Sequence, residues 1–154
     1  MHRKLVRDIM ETVVISIHPE ELMVDGAQVM EDFDVRRLPV VDDDGCIVGI
    51  ITDTDVLEAE TVDSVLGAYS PDVDHEWLTV ADIMTPDVIT VGPEMTVGQL
   101  VQLFIAHKVS GMPVVEADPR FPKRRRLVGI VTEVDIFQMI ADAWEAEAAA
   151  LSQQ

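Results

Sequence analysis

Short apolar runs alternate with longer stretches in which apolar positions recur every three or four residues, and the whole alternation occurs twice. Val13 to Ile17 ("VVISI") and Val88 to Val91 ("VITV") are short runs that read as strands. Each is followed by a proline–glutamate pair, Pro19-Glu20 or Pro93-Glu94, and then by a helical pattern. In the second stretch Val97, Leu100, Val101, Phe104 and Ile105 fall on one helix face. In the first, Met23, Ala27 and Met30 keep that face while Gly26 interrupts it. Next, in "RLPVVDDDGCIVGIIT", two apolar runs flank Asp44-Gly45, a hairpin-turn signal. A further helix is predicted to begin near Thr52 in the first stretch and near Thr132 in the second. The predicted order is β-α-β-β-α, twice, with "RDIM" or "ADIM" leading in.

The two stretches are copies. "VRDIM" (Val6 to Met10) returns as "VADIM" (Val80 to Met84) 74 positions later, and "LPVV" (Leu38 to Val41) returns as "MPVV" (Met112 to Val115) at the same spacing. "VGIITDTDV" (Val48 to Val56) returns 80 positions later as "VGIVTEVDI" (Val128 to Ile136). The six extra residues lie in the second hairpin loop, where "DDDGCI" becomes "EADPRFPKRRRL". An insertion in a turn leaves the flanking elements intact, so one unit has been duplicated with a loop change. Between the copies, Val62, Val65, Leu66 and Tyr69 predict that the first unit's last helix continues, and "SPDVDHE" reads as an exposed acidic linker. Near the C-terminus Ile136, Ile140, Trp144 and Ala148 fall four apart beside Phe137 and Ala141, an apolar stripe. Such a stripe either packs on its own domain or anchors a partner subunit.

Charge narrows the partners. The formal net charge of -18 over 154 residues repels nucleic acid and anionic membranes. A phosphate-bearing ligand would need a basic group, a helix N-terminus or a bound cation to overcome that field. The acidity, with few lysines, also fits a salty cytoplasm or plain solubility. No apolar run approaches the roughly 20 residues of a membrane span, and "MHRKLVRDIM" lacks the apolar core of a signal peptide. A cytoplasmic location is expected. The single cysteine, Cys46, excludes an intramolecular disulfide framework and reads as a small buried strand residue. His2, His18, His75 and His107 show no paired metal-ligand spacing, and no metal site is expected. Phosphate-binding loops, dinucleotide fingerprints and nucleophile elbows are missing from the sequence, so no catalytic residues and no enzyme activity are expected. The one dense basic run, "PKRRR" from Pro122 to Arg126, reads either as a solvated loop or as a docking patch for an acidic partner, including another copy of this chain.

The duplicated "T-x-x-D" carries the candidate chemistry: Thr52 with Asp55, and Thr132 with Asp135. Threonine followed three residues later by an acid is a capping box. A helix N-terminus also presents unpaired N–H groups and partial positive charge, which suit a phosphate. A carboxylate there can accept hydrogen bonds from two ribose hydroxyls. The two readings are compatible.

Taken together, the "DIM(T)P" segments, the apolar run before "PE", the "PVV" strands and the "V-G-I-(I/V)-T-x-x-D-(V/I)" phrases, each present twice in register, resemble a tandem pair of CBS domains, a Bateman module, over about Val6 to Ala141. The resemblance implies a mixed α/β fold of two β-α-β-β-α units packed sheet to sheet with pseudo-twofold symmetry. It places the first domain at 6–69, a linker at 70–79, the second domain at 80–141 and a C-terminal helix extension at 142–154. It implies a stand-alone regulator with clefts for an adenosyl ligand such as AMP, ADP, ATP, NAD or S-adenosylmethionine, with or without Mg²⁺. No cofactor is required, and the partners implied are a second copy, as a homodimer, and a regulated protein. The alternative is a structural or interaction module with vestigial clefts. By the same resemblance Asp55 and Asp135 hold the ribose, and Thr52 and Thr132 lie by the ribose or first phosphate. Val35, Arg36 and Arg37 in one copy, and Val109, Ser110, Gly111 and the adjoining Met112 in the other, lie beside the adenine, which Ile15 and Ile89 wall. Gly111 permits close approach of a flat ring, whereas Arg36 or Arg37 could stack on a base or reach phosphate. Unequal sites are expected, the second the more typical.

Overall fold

The computed structural model describes the backbone of residues 1–67 and 77–153 and the side chains of 1–61 and 77–153. The side chains of Val62, Val65, Leu66 and Tyr69, and the acidic stretch 70–76, lie outside the described residues. The elements are α1 (Val6–Ile9), α2 (Met23–Asp32), β1 (Arg37–Val41), β2 (Ile47–Thr52), α3 (Asp53–Gly67), α4 (Val80–Ile83), α5 (Val97–His107), β3 (Gly111–Ala117), β4 (Arg125–Thr132) and α6 (Glu133–Ser152). Strands β1 and β2 form one antiparallel pair, and β3 and β4 form a second two-stranded sheet. The mixed helix-and-strand class follows the sequence pattern.

Local chemistry sets the helix limits. At the start of α5 the Gln99 N–H donates to Thr96 Oγ1 at 3.2 Å, and the Thr96 N–H donates to Gln99 Oε1 at 3.0 Å, a reciprocal cap. Helices α2 and α5 end alike, on a left-handed residue: Asp34 at φ 52° and Lys108 at φ 55°. The next N–H then reaches back, Val35 to the Met30 carbonyl at 3.0 Å and Val109 to the Phe104 carbonyl at 3.2 Å. This is the Schellman closure, which satisfies carbonyls the helix leaves open.

Helix α2 forms on the face that Met23, Ala27 and Met30 mark in sequence, and it runs through Gly26. A Cβ on Gly26 would lie 3.0 Å from Ile51 Cδ1 and 3.3 Å from Ile17 Cδ1, so glycine lets the helix approach its hairpin. One sequence expectation needs correction: Val13–Ile17 and Val88–Val91 are not strands. Only Ile17 and Val91 form bridges, parallel ones to Val40 and Val114. Both are buried at 2% exposure, whereas Val13 is 89% exposed. The apolar residues before each bridge have β propensity but no strand to pair with.

The chain divides into two compact units, and neither is a continuous segment. One comprises Ile15–Val88 with Asp118–Arg126; the other comprises Met1–Val14, Ile89–Ala117 and Leu127–Gln154. In the first, Val80 at the head of α4 is fully buried in a core with Met23, Leu38, Val40, Ile51 and Val56. Thr85 and Ile50 exchange two backbone hydrogen bonds, of 3.0 and 2.9 Å. In the second, Val6 at the head of α1 is buried with Leu100, Val114, Val131 and Ile136, and Glu11 exchanges bonds of 2.8 and 3.0 Å with Ile130. Each "DIM" segment therefore completes the hairpin of the other repeat. The glycine of "VGI" makes room for it: a Cβ on Gly49 would meet Met84 Sδ at 2.5 Å, and one on Gly129 would meet Met10 Sδ at 2.7 Å.

The C-terminal stripe splits. Ile136 and Met139 of α6 join the core, while Phe137, Ile140 and Trp144 stand 60%, 47% and 71% exposed. Of the basic run, Pro122, Lys123, Arg125 and Arg126 are exposed, and Arg124 is half-buried. Arg124 pairs with Asp42 and Asp44 of this chain's own first hairpin turn. Among the described residues no helix is long and apolar enough to cross a membrane, and no cluster of three metal-ligating side chains occurs.

Candidate functional site

Both "T-x-x-D" phrases form helix starts, in different ways. At α3 the Thr52 N–H donates to Asp55 Oδ2 at 2.9 Å, and the Asp55 N–H donates to Thr52 Oγ1 at 3.1 Å. The Asp53 N–H is held by the Arg36 carbonyl at 2.9 Å, and the Thr54 N–H by Asp53 Oδ1 at 2.9 Å. The first three donors of α3 are thus occupied, and two carboxylates stand in its first turn. A phosphate finds neither free donors nor favourable charge there, contrary to what a helix N-terminus alone suggests. At α6 the Thr132 N–H donates to Asp135 Oδ2 at 2.8 Å, and the Thr132 hydroxyl turns onto the same oxygen at 3.3 Å. The Glu133 N–H is held by the Ser110 carbonyl at 2.9 Å. The Val134 N–H has no acceptor among the described residues. In both copies one aspartate oxygen serves the cap, and Oδ1 takes no hydrogen bond among the described residues. Each carboxylate is half-buried.

Of the other predicted residues, Arg36 and Arg37 are tied to the first helix start and Ser110 to the second, each within its own unit. In the first, strand register sets Arg37 opposite Thr52, and the Arg36 carbonyl ties the preceding turn to α3. Arg36 is exposed, and Val35 and Ile15 pack on the core from its margin. In the second, Ser110 is tied to α6 through its carbonyl, Gly111 opens β3 half-buried, and Val109 packs on the core margin. Ile89 is 39% exposed, free to meet a flat apolar group, whereas Met112 is 1% exposed and belongs to the core. The side chain of Met112 faces no opening; a ligand could meet only its backbone.

Sequence reasoning missed the residues that accompany Asp135. A groove of about 580 Å³ runs along α6 beside the chain start, lined by Lys4, Asp8, Glu11, Asp135, Gln138 and Asp142 among others. Asp8 and Glu11 lie at the head of the first repeat, with Lys4 just before it, so a linear reading groups them with the first hairpin rather than with α6. The usable signal was the separation of "RDIM" and "ADIM" from the strands that follow them. The groove carries four carboxylates among these six and one amine. It suits hydroxyl donors and neutral or cationic groups, and it opposes polyphosphate.

The comparisons with known proteins agree with this architecture. The family model described as CBS domain matches residues 6–61 and 80–142. L-aspartate semialdehyde sulfurtransferase of Methanocaldococcus jannaschii is 30% identical over 135 residues, 88% of this chain but 23% of that relative. The chain spans about a quarter or less of the first curated relatives it matches. Hypoxic response protein 1 of Mycobacterium tuberculosis is 28% identical over 130 residues, covering 84% of this chain and 80% of that one. A crystal structure of the CBS domain pair of protein MJ0100, in complex with 5′-methylthioadenosine and S-adenosyl-L-methionine, superposes with a TM-score of 0.69 at 28% identity, over 91% of this chain and 98% of that one. With both repeats matched by the family model, this chain belongs to the CBS domain family and carries a tandem pair of its domains.

Proposed function

We propose that this chain is a regulatory module that binds an adenosyl ligand and signals through a partner protein, acting as a homodimer. The carrying observation is the pair of cap aspartates, each of which keeps Oδ1 unbonded among the described residues, the second at the edge of the acidic groove. A ribose diol offers hydroxyl donors to such an unbonded oxygen. The copies are unequal: the occupied donors of α3 favour the second repeat as the principal site, with Asp135 and Thr132 at the ribose and Ile89, Val109, Ser110 and Gly111 around the base. The groove's acidity favours neutral or cationic adenosyl compounds over ATP. That preference accords with the ligands of the MJ0100 domain pair. The exposed Phe137, Ile140 and Trp144 line an apolar depression of about 400 Å³, and this face supports the homodimer.

Thermal shift and calorimetry with S-adenosylmethionine, 5′-methylthioadenosine, AMP, ADP, ATP and NAD, with and without Mg²⁺, test the reading. A ligand at about 100 times its Kd stabilises by roughly 2.7 kcal/mol, a melting shift of about 5–11 °C for a chain of this size. The largest shifts are expected with the first two compounds. Asp135→Asn keeps a tolerable helix-start residue, so stability should change by at most about 1 kcal/mol. Affinity should fall roughly 10- to 150-fold through loss of a charged hydrogen bond of about 1.5–3 kcal/mol. No shift and no heat at millimolar ligand would leave the module as an interaction domain with vestigial clefts.

A further inference from the structure

The two hairpins differ by six residues, and those residues bring the arginines. The first turn closes on itself: Asp42 Oδ1 accepts the N–H groups of Asp44 at 2.9 Å and Cys46 at 3.0 Å, and Gly45 supplies φ 79°. Against this turn lies Asp118–Arg126, the long loop of the other hairpin, in the same compact unit. Arg124 reaches Asp42 through Nη2 and Asp44 Oδ2 through Nη1, the latter at 3.1 Å. Arg120 Nη1 stands 3.6 Å from Asp44 Oδ1, while its Nη2 and Nε contact Asp118 at 3.2 and 3.3 Å. The Phe121 ring lies 5.9 and 5.4 Å from the two guanidinium carbons, close enough for cation–π attraction.

Beneath this layer sits the chain's single thiol. Cys46 is 1% exposed and donates from Sγ to Asp118 Oδ2 at 3.3 Å, and Asp118 is 2% exposed. Burial, then the bond to Asp118, raises the thiol pKa, while the Arg120 hydrogen bonds hold the Asp118 carboxyl down at about 2. At neutral pH the acid is charged, the thiol is protonated, and the loop covers both. A buried thiol that remains protonated is chemically inert. The outer layer differs: the Arg120, Asp44 and Arg124 side chains are 59%, 40% and 38% exposed, so solvent ions reach them.

We propose that Asp118–Arg126 is a salt-sensitive latch on the Asp42–Cys46 turn, and that Cys46 becomes accessible only when the latch lifts. The tie joins one repeat's loop to the other repeat's turn. The latch is electrostatic on its outer face and closed within by the Cys46–Asp118 pair and by the backbone bridge between Cys46 and Arg126. Lifting it removes the cover and the hydrogen bond together, so the alkylation rate of the thiol reports the open fraction.

The full chain, with its one cysteine, is treated with iodoacetamide at pH 7.5, and carbamidomethylation is followed by intact mass. Raising NaCl from about 50 mM to 1 M should speed labelling at least about threefold, because the Debye length shrinks several-fold. Arg124→Ala should speed it at least about tenfold, equivalent to about 1.4 kcal/mol, and should flatten the salt response. Asp44→Asn removes the negative charge that faces both arginines while leaving them in place, and should give a smaller increase. Lys123→Ala, with no described partner, should label like the parent. Labelling of Arg124→Ala and Asp44→Asn within twofold of the parent would overturn the latch. So would a parent rate equal to that of global unfolding in the same buffer, since the thiol would then be exposed only by complete unfolding.

Discussion

Gly49 and Gly129 are where single residues most constrain the fold. Each lies under a methionine supplied from the head of the other repeat and close to a backbone carbonyl: Thr85 O at 3.1 Å from a Cβ on Gly49, and Glu11 O at 3.0 Å from one on Gly129. A methionine can swing aside, but the carbonyl is fixed by its bridge. Gly49→Ala and Gly129→Ala should therefore each cost about 1–3 kcal/mol, the usual penalty of overpacking. Gly92→Ala, with open space around its Cβ, should cost little on that account. Urea midpoints of the three variants check this; equal midpoints would mean the methionines absorb the extra carbon freely. The "T-x-x-D" caps were legible because a cap is a local device, written within four residues. The fit of Met10 on Gly129 was illegible because it joins positions far apart, with no local pattern to mark it.

Among the elements, the amphipathic helices were legible from period and capping residues. The strands that pair as hairpins were legible from their turn signal. The apolar runs 13–17 and 88–91 misled because β propensity states what a residue tolerates rather than what it pairs with. Gly26 interrupts the apolar pattern of α2 because it serves as a close contact, where a Cβ would meet Ile51. The helix ends carry a further test. Lys108 terminates α5 at φ 55°, a conformation that costs an L-residue about 1–2 kcal/mol and that glycine adopts freely. Lys108→Gly should stabilise the chain by up to about 1 kcal/mol after the greater unfolded-state freedom of glycine is counted. The melting temperature should rise about 2–4 °C. A fall in melting temperature would show that the lysine side chain contributes more than its backbone costs.

At the scale of the whole molecule, the unburied half of α6 sets the expectation. Phe137, Ile140 and Trp144 repeat along one side of a helix of 20 residues, about 30 Å long, and α6 already turns Ile136 and Met139 to the core. Light scattering at micromolar protein should give about twice the 17.1 kDa chain mass, and Trp144→Ala should shift it toward the single-chain value. A single-chain mass for the parent across that range would reject the homodimer. The exchanged "DIM" segments bear on how the chain is made. The unit built on β1 and β2 gains Val80 and Thr85 soon after its hairpin leaves the ribosome. The other unit holds both the first and the last residues of the chain. Val6 and Met10 are synthesised well before their partners Gly129, Ile130 and Val131, from which more than a hundred residues separate them. At about 5–20 residues per second the wait is on the order of ten seconds. During that interval the first apolar segment is without its core, the period in which a nascent chain most needs a chaperone.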